Sequence, residues 1–168
     1  TFPTKFDLVD PLLSLDHRGK TIFRMSVNPQ EIIRSVELGT SPLDARIRAL
    51  NRVAEAGYPV GLLIAPVILL PGWRRLYGEL MERLSDELSE RVTHGGFLEI
   101  ILMTYSFVQN AINTEAFPGA VQLLDREQMR GSGRGKYRYR SGARAEAESF
   151  LREQAARFLG SMPILYIS

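Results

Sequence analysis

Apolar residues follow two patterns that alternate along the chain. Residues 21–27 are rich in β-branched and aromatic side chains and end at Asn28-Pro29, which predicts a strand followed by a break. Residues 60–70 and 97–105 form near-continuous apolar runs, which are typical of strands buried on both faces of a parallel sheet. The first two thirds of the chain therefore carry three predicted strands.

Between these runs, apolar residues recur at the spacing of a helix. In residues 41–56 the apolar stripe begins after Ser41-Pro42, a cap and a first helical residue, and stops at Gly57. In residues 76–88 a leucine stands at every fourth position. The order of strands and helices predicts an α/β fold, with a parallel sheet covered by helices.

The rest of the chain is more polar. A turn is predicted at residues 117–119 and a short strand at 121–124, and a segment with six cations and no acid follows. Its cations are Arg130, Arg134, Lys136, Arg138, Arg140 and Arg144. A closing helix over residues 146–159 and a terminal strand over 164–167 complete the prediction.

These patterns divide the chain into three parts within one domain. Residues 1–116 hold the βα units, residues 117–145 a basic hairpin or loop, and residues 146–168 the closing helix and strand.

The basic segment is the strongest functional signal that the residues give by themselves. Arg130, Arg134 and Lys136 can neutralise phosphates, and Tyr137 can stack on a base. The alternative is a glycine-rich hairpin whose tyrosines pack inward while its cations are only solvated. The glycines at 131, 133 and 135 lack the spacing of a dinucleotide-binding loop.

Composition excludes several kinds of site. The chain has no cysteine, so it forms no disulfide, thiolate zinc site or iron–sulfur cluster from its own residues. The longest apolar run is about half a membrane span and contains three Gly and Pro residues, so no membrane partner is expected. Because the N-terminus has neither an initiator Met nor a signal-peptide pattern, we expect a cytoplasmic chain cut from a longer protein.

Two charged residues lie close to predicted strands. Glu99 falls inside an apolar run, and a buried carboxylate requires either a function or a partner, so an Arg partner is expected. Lys5 lies near a predicted strand end, where parallel α/β folds place ligand groups, although a surface lysine is the plainer interpretation.

Motifs spread over almost the whole chain resemble the spore photoproduct lyase family, with the densest match between Thr4 and Trp73. The motifs are Thr4-Lys5-Phe6, Gly19-Lys20-Thr21, Ser26-Val27-Asn28, Gly39-Thr40-Ser41-Pro42-Leu43-Asp44, Ala56-Gly57-Tyr58-Pro59, Ala65-Pro66-Val67, Gly72-Trp73 and Gly135-Lys136-Tyr137. The resemblance implies the C-terminal half of a partial (β/α) TIM-like barrel with parallel strands, plus a short basic β-hairpin and a closing helix.

The resemblance also implies a radical S-adenosylmethionine enzyme. In this family a 4Fe-4S cluster, bound by cysteines of the N-terminal half, cleaves S-adenosylmethionine to a 5′-deoxyadenosyl radical. The radical abstracts hydrogen from a thymine photolesion in DNA and starts its repair. The chain would thus act only with the N-terminal half that carries the cysteines, and alone it should be inactive.

Residue by residue, the resemblance implies a cofactor site and a DNA site. Lys5 would approach the carboxylate of S-adenosylmethionine, Ser26 its ribose or methionyl end, and the backbone at Ala65 its adenine. The DNA-binding residues would be Arg130, Arg134, Lys136 and Tyr137.

The sequence departs from the family pattern in two places. Residues 102–111 carry no charge where the family has polar and basic residues, and the basic hairpin is shorter and lacks a Trp. Two alternatives therefore stay open. One is a radical S-adenosylmethionine homologue with a different substrate, and the other is a non-catalytic nucleic-acid-binding α/β module.

Overall fold

Two sheets make up the β structure of the chain, whose computed structural model describes residues 1–168. The strands are β1 (Phe2–Thr4), β2 (Phe23–Val27), β3 (Val60–Val67), β4 (Phe97–Leu102), β5 (Thr104–Ser106), β6 (Met129–Gly131), β7 (Lys136–Tyr139) and β8 (Ile164–Ile167). Strands β1, β2, β3, β4 and β8 form a parallel sheet in that order, and β5, β7 and β6 form an antiparallel sheet.

Six α-helices connect and cover the strands. They are α1 (Gln30–Val36), α2 (Leu43–Glu55), α3 (Trp73–Glu87), α4 (Glu90–Gly95), α5 (Phe107–Ala116) and α6 (Ser141–Phe158), and a short 3-10 helix spans Asp10–Leu12. Helix α2 packs on β2 and β3, α4 packs on β3, and α3 packs on α6. No helix combines the length and the apolar character that a membrane crossing requires.

The alternation of side chains along the strands separates a helix-covered face from an open face. In β2, Phe23, Met25 and Val27 are fully buried on the helix side. Because successive side chains point to opposite faces of a sheet, Arg24 and Ser26 lie on the open side. Strands β3 and β4 alternate in the same way, so the open face carries polar residues such as Arg24, Ser26 and Glu99 as well as apolar ones such as Leu63 and Ile101.

The α/β class, the parallel sheet, the three central strands and the terminal strand are confirmed. The strand predicted at residues 121–124 is wrong, because these residues have no regular structure. The third strand of the small sheet is β5 instead, which pairs with β7 from a position immediately after β4. The apolar run 97–105 is thus two strands, which meet at Met103 and belong to different sheets.

Several helix boundaries differ from the predicted ones. Helix α2 begins at Leu43. The Leu43 backbone N–H donates to the side chain of Gln30 and not to that of Ser41, which was the predicted cap. The closing helix begins at Ser141, earlier than predicted. Helices α1, α4 and α5 were not predicted, because each is short and none has a long apolar stripe.

The parallel sheet has two open edges, since β1 pairs only with β2 and β8 pairs only with β4. Leu165 in β8 is 56% exposed and Tyr166 is 39% exposed. An exposed edge strand with apolar side chains is a template for pairing with another chain.

We therefore expect the 168-residue chain on its own to self-associate. Leu165→Lys should reduce this association, which sedimentation velocity measures over a range of concentrations.

Leu38→Lys is the matched control, because Leu38 is equally apolar and 67% exposed but lies outside both sheet edges. It should leave the association unchanged. A monodisperse monomer at all concentrations of the unaltered chain would contradict the expectation.

Candidate cofactor pocket and basic hairpin

A cavity of about 520 Å³ opens at the carboxyl ends of the first three strands of the parallel sheet. Lys5 follows β1, Ser26 is near the end of β2, and Ala65 is near the end of β3, and all three line the cavity. The other lining residues are Pro3, Thr4, Phe6, Thr40, Leu63, Pro66 and Ile101. The structure therefore brings the three residues predicted for the cofactor to one pocket.

Ser26 and Ala65 fix the floor of this pocket. The Ser26 hydroxyl donates a hydrogen bond to the Ala65 carbonyl oxygen at 2.9 Å, which ties the ends of β2 and β3 together. The lone pairs of that hydroxyl remain able to accept from a ligand. Ala65 has only a methyl side chain and stands beside Pro66 and Leu63, so this end of the pocket is open and apolar enough for a flat ring.

Lys5 is held by a carboxylate that the sequence analysis did not single out. Its Nζ donates to Oε1 of Glu37 at 2.7 Å, and Glu37 directly follows the last residue of α1. The Glu37 side chain is only 3% exposed, whereas that of Lys5 is 31% exposed. Glu37 therefore holds the Lys5 ammonium on its buried side, and the ammonium remains accessible from the pocket.

Behind Glu37 lies Arg46, whose side chain is completely buried. Its Nη1 is 2.8 Å from Oε2 of Glu37 and also donates to the Ser26 carbonyl oxygen at 3.0 Å. Its Nε donates to the Ser41 carbonyl oxygen and its Nη2 to the Thr40 hydroxyl, at 2.7 and 2.6 Å. One guanidinium thus connects α2, the end of β2 and the loop before α2.

Asn28 extends this network toward α3. Its Nδ2 donates to Oε1 of Glu37 at 2.7 Å and to the Pro66 carbonyl oxygen at 3.1 Å. The buried Tyr77 hydroxyl donates to Oδ1 of Asn28 and accepts from the Ile68 backbone N–H. Burial raises the pKa of Tyr77, so this phenol stays protonated and keeps donating.

The group formed by Lys5, Glu37 and Arg46 carries one net positive charge, and only Lys5 of the three lines the cavity. Lys5 and Arg46 supply two cations and Glu37 one carboxylate, while Asp7 is exposed and accepts from the Ser41 hydroxyl. Burial by itself raises the pKa of Glu37, but hydrogen bonds from Lys5 and Asn28 and the neighbouring Arg46 outweigh burial and hold this pKa below 4.5. The pocket therefore favours an anionic group beside Lys5.

Glu99 has the Arg partner that the sequence predicts. Nη1 of Arg24 donates to both carboxylate oxygens of Glu99, at 3.1 and 2.8 Å, across the open face of the sheet. Glu99 is 5% exposed, so the pair explains how a carboxylate is accommodated within an apolar strand.

The basic hairpin consists of β6 and β7 and the turn between them. Arg130, Arg134 and Lys136 are exposed, and Tyr137 is half-buried and packs against the core. Tyr139 is buried, and its hydroxyl accepts from the Leu69 backbone N–H at 2.9 Å. Burial raises the pKa of Tyr139 to about 12. Tyr139 therefore packs inward, as the alternative interpretation of this segment has it.

The cations of the hairpin differ from most others in the chain because they have no acidic partner. Arg130 and Arg138 stand directly opposite each other on adjacent strands, an arrangement of like charges that destabilises a sheet. Arg134 has a positive φ of 50° at the tip of the turn, a backbone conformation that only a few per cent of non-glycine residues adopt. Of the ten cations without an ion pair, six lie between Arg126 and Arg140.

The hairpin and the pocket belong to the same edge of the parallel sheet. Strand β5 continues from the carboxyl end of β4, and the Met103 N–H donates to the Val67 carbonyl oxygen at the end of β3. Together with the Tyr139–Leu69 bond, these contacts fix the small sheet to the carboxyl ends of β3 and β4.

Sequence reasoning missed the residues behind the pocket. Glu37 and Arg46 are 9 positions apart, and nothing in their local pattern pairs them. One signal was present: Arg46 lies one turn after Leu43 and one turn before Leu50 on the buried stripe of α2. A charge on an apolar stripe indicates a buried partner.

The fold and the site define a class: a stretch of parallel βα units with a ligand pocket at the carboxyl ends of its strands, as in (β/α) barrel proteins. The profile of the family described as spore photoproduct lyase matches residues 1–168. The chain belongs to the spore photoproduct lyase family and corresponds to its C-terminal half.

Individual relatives agree with this assignment. The chain is 38% identical over 162 residues to the spore photoproduct lyase of Bacillus subtilis (strain 168), covering 94% of this chain and 46% of that protein. It is 34% identical over 171 residues to that of Geobacillus sp. (strain Y412MC61), covering 99% and 50%. The chain thus spans about half the length of the curated relatives it matches.

Solved structures of the family have the same fold. A spore photoproduct lyase complexed with dinucleoside spore photoproduct superposes with a TM-score of 0.91 at 32% identity. A mutant with bound AdoMet and dinucleoside spore photoproduct superposes with a TM-score of 0.92, also at 32% identity. Each match covers 99% of this chain and 50% of the solved chain.

The depressed pKa of Glu37 makes a testable contribution to stability. We expect the free energy of unfolding to fall as the pH is lowered from about 4.5 through this pKa, because the unfolded chain takes up a proton that the folded chain resists. Glu37→Gln should lower stability near neutral pH and flatten the loss in acid. Urea unfolding over a series of pH values measures both effects.

Asp44→Asn is the control, because Arg48 also lowers the pKa of Asp44 but the Asp44 side chain is 45% exposed. It should change stability little at any pH, since exposed pairs contribute little. An equally small response of Glu37→Gln would contradict the role given to the buried carboxylate.

Proposed function

We propose that this chain holds S-adenosylmethionine in the pocket lined by Lys5, Ser26 and Ala65, as part of a radical S-adenosylmethionine lyase that acts on a thymine photolesion in DNA. The observation that carries the proposal is the pocket itself, in which an apolar end and the Lys5 ammonium face the same cavity. The bound AdoMet of a solved relative with the same fold supports this choice of ligand.

The iron–sulfur cluster of such an enzyme must be ligated from outside these 168 residues, because the chain has no cysteine. With that cluster, S-adenosylmethionine supplies a radical that abstracts hydrogen from the lesion. This chain's own part is to bind and orient the cofactor and to hold DNA, so by itself it is expected to be inactive.

Each pocket residue has a role that suits its chemistry. The Lys5 ammonium pairs with the ligand carboxylate as a point charge. The Ser26 hydroxyl accepts a hydrogen bond from the ribose or the methionyl end, because its own proton is already donated to Ala65. The apolar end at Ala65 and Pro66 borders the adenine and excludes water from one face of the ring.

The basic hairpin is proposed to bind DNA next to this pocket. Its unpaired cations include two that face each other across the strands, an arrangement that a bound phosphate would relieve. Arg130, Arg134 and Lys136 are all exposed for such contacts. The relatives whose structures hold dinucleoside spore photoproduct support a DNA lesion as the substrate.

The first test removes the cation of the pocket. In the complete protein with its cluster assembled, Lys5→Ala should weaken S-adenosylmethionine binding by about 1.5–3 kcal/mol, the range for a charge-assisted hydrogen bond. Titration calorimetry measures the affinity, and the visible absorption of the cluster should stay unchanged.

Lys20→Ala is the matched control, because Lys20 is exposed and has no ion-pair partner. It should bind the cofactor as the unaltered protein does. Equal affinity of Lys5→Ala and Lys20→Ala would refute the assignment of Lys5.

The second test concerns the hairpin. Replacing both Arg134 and Lys136 with Ala should weaken DNA binding regardless of sequence and flatten its salt dependence. Each lost phosphate contact should remove about 0.9 from the slope of log K against log salt for duplex DNA. Fluorescence anisotropy with a duplex at several salt concentrations measures both quantities.

The charge-matched control replaces Arg34 and Arg152 with Ala, since both are exposed and lack an acidic partner but lie on helices α1 and α6. If the two double variants have the same affinity and salt slope, the hairpin is only a solvated surface.

Tyr137→Ala separates stacking from charge. It should lower the preference for damaged over intact DNA without changing the slope, because an uncharged ring that stacks on a base neutralises no phosphate.

A further inference from the structure

We propose that Glu37 is a positioning residue that sets the direction of the Lys5 ammonium toward the carboxylate of the bound cofactor. This inference rests on the proposed function, because it concerns the same pocket. It adds a residue that does not line the cavity and acts only through another.

The first step of the argument is the freedom of the lysine side chain. Lysine has a flexible four-carbon stem, so its charge is poorly directed unless a neighbour fixes it. Lys5 lies beyond the end of β1 and donates to a single side chain, that of Glu37 at 2.7 Å. An ammonium has three donors, so two remain for a ligand in the pocket.

The second step is the rigidity of the carboxylate. The Glu37 side chain is buried, and its Oε1 accepts from Asn28 as well as from Lys5. Its Oε2 lies 2.8 Å from Nη1 of Arg46, a guanidinium that two backbone carbonyls and the Thr40 hydroxyl hold in place. Two hydrogen bonds to Oε1 and the ion pair at Oε2 hold this buried carboxylate in place, and a carboxylate held in this way can orient a flexible partner.

The third step concerns charge. A carboxylate beside Lys5 could instead compete with the ligand and weaken its binding. Arg46, however, already compensates the charge of Glu37, because this buried cation is paired with no other acid. The triad of Lys5, Glu37 and Arg46 carries one net positive charge, and Lys5 is its member that lines the cavity, so Glu37 directs Lys5 without cancelling the attraction for an anion.

The test compares two ligands in the complete protein with its cluster assembled. S-adenosylmethionine has the carboxylate that Lys5 is proposed to meet, and 5′-methylthioadenosine lacks it but keeps the adenine and ribose. Glu37→Gln should weaken S-adenosylmethionine binding roughly tenfold and leave 5′-methylthioadenosine binding unchanged, as measured by calorimetry. Glu31→Gln, which changes an exposed acid on α1, the helix that Glu37 directly follows, is the matched control for both ligands.

A double-mutant cycle isolates the route of the effect. In a Lys5→Ala background, Glu37→Gln should cause no further loss of S-adenosylmethionine affinity, because the group that it positions is absent. Full additivity of the two losses would overturn the proposal. So would a loss for both ligands, which indicates a collapsed pocket, or tighter S-adenosylmethionine binding, which indicates a competing anion.

Glu37→Asp keeps a negative charge beside Arg46 and therefore covers the case in which Glu37→Gln fails to fold. Its carboxylate is one methylene further from Lys5, so a smaller loss confined to S-adenosylmethionine is expected, and affinity equal to that of the unaltered protein overturns the proposal. Failure of the proposed function gives a different result: the unaltered protein would not bind S-adenosylmethionine, or Lys5→Ala would bind it equally well.

Discussion

The buried guanidinium of Arg46 is the constraint on which the pocket depends. A charge with no exposed surface must be compensated where it lies, and removing the partner of a buried ion pair costs about 3–5 kcal/mol. Arg46 finds its compensation in Glu37 and in the carbonyl oxygens of Ser26 and Ser41. The ends of α1 and β2 and the loop before α2 are consequently held at fixed separations, and these are the segments that surround the pocket.

A buried ion pair is weak proof of stability, because a well-packed apolar pair of similar volume often stabilises a fold as much or more. The buried pair of Arg46 and Glu37 instead specifies one arrangement of the groups around the pocket. An apolar residue at position 46 would fill the space, but it would direct neither the loop carbonyls nor Glu37. The observed network instead reaches from Lys5 through Glu37 and Asn28 to Tyr77 on α3, so the helix layer itself determines where the pocket cation stands.

The sequence predicted those parts of the fold that local patterns encode. Apolar runs and leucine stripes reveal β3, β4 and α3, because burial on both faces of a strand or on one face of a helix imposes a period. The buried Glu99 is recognisable in the same way, since a charge inside an apolar run needs a partner. The location of Lys5, Ser26 and Ala65 at one edge came from a resemblance to the family, and the structure shows them together.

What the sequence did not predict depends on contacts between distant residues. The partner of Lys5 is 32 positions away, and hydrogen-bond geometry of that kind leaves no periodic trace. Strand β5 was hidden inside an apolar run because its pairing with β7 is decided by tertiary structure, not by its own three residues. The short helices α1, α4 and α5 were missed for a related reason, since most of the stability of a short helix comes from its surroundings.

The same long-range contacts give the two proposed sites a fixed relation to each other. The Tyr139 hydroxyl accepts from Leu69 just beyond β3, and Met103 donates to Val67 at the end of that strand. Strand β3 also contributes Ala65 to the pocket, so one strand end carries both the floor of the pocket and the attachment of the hairpin. Because burial raises the pKa of Tyr139 to about 12, the Tyr139 hydroxyl stays neutral throughout the physiological range of pH. The separation of the pocket and the hairpin is thus fixed by the Tyr139–Leu69 and Met103–Val67 hydrogen bonds and not by the exposed cations at the hairpin tip.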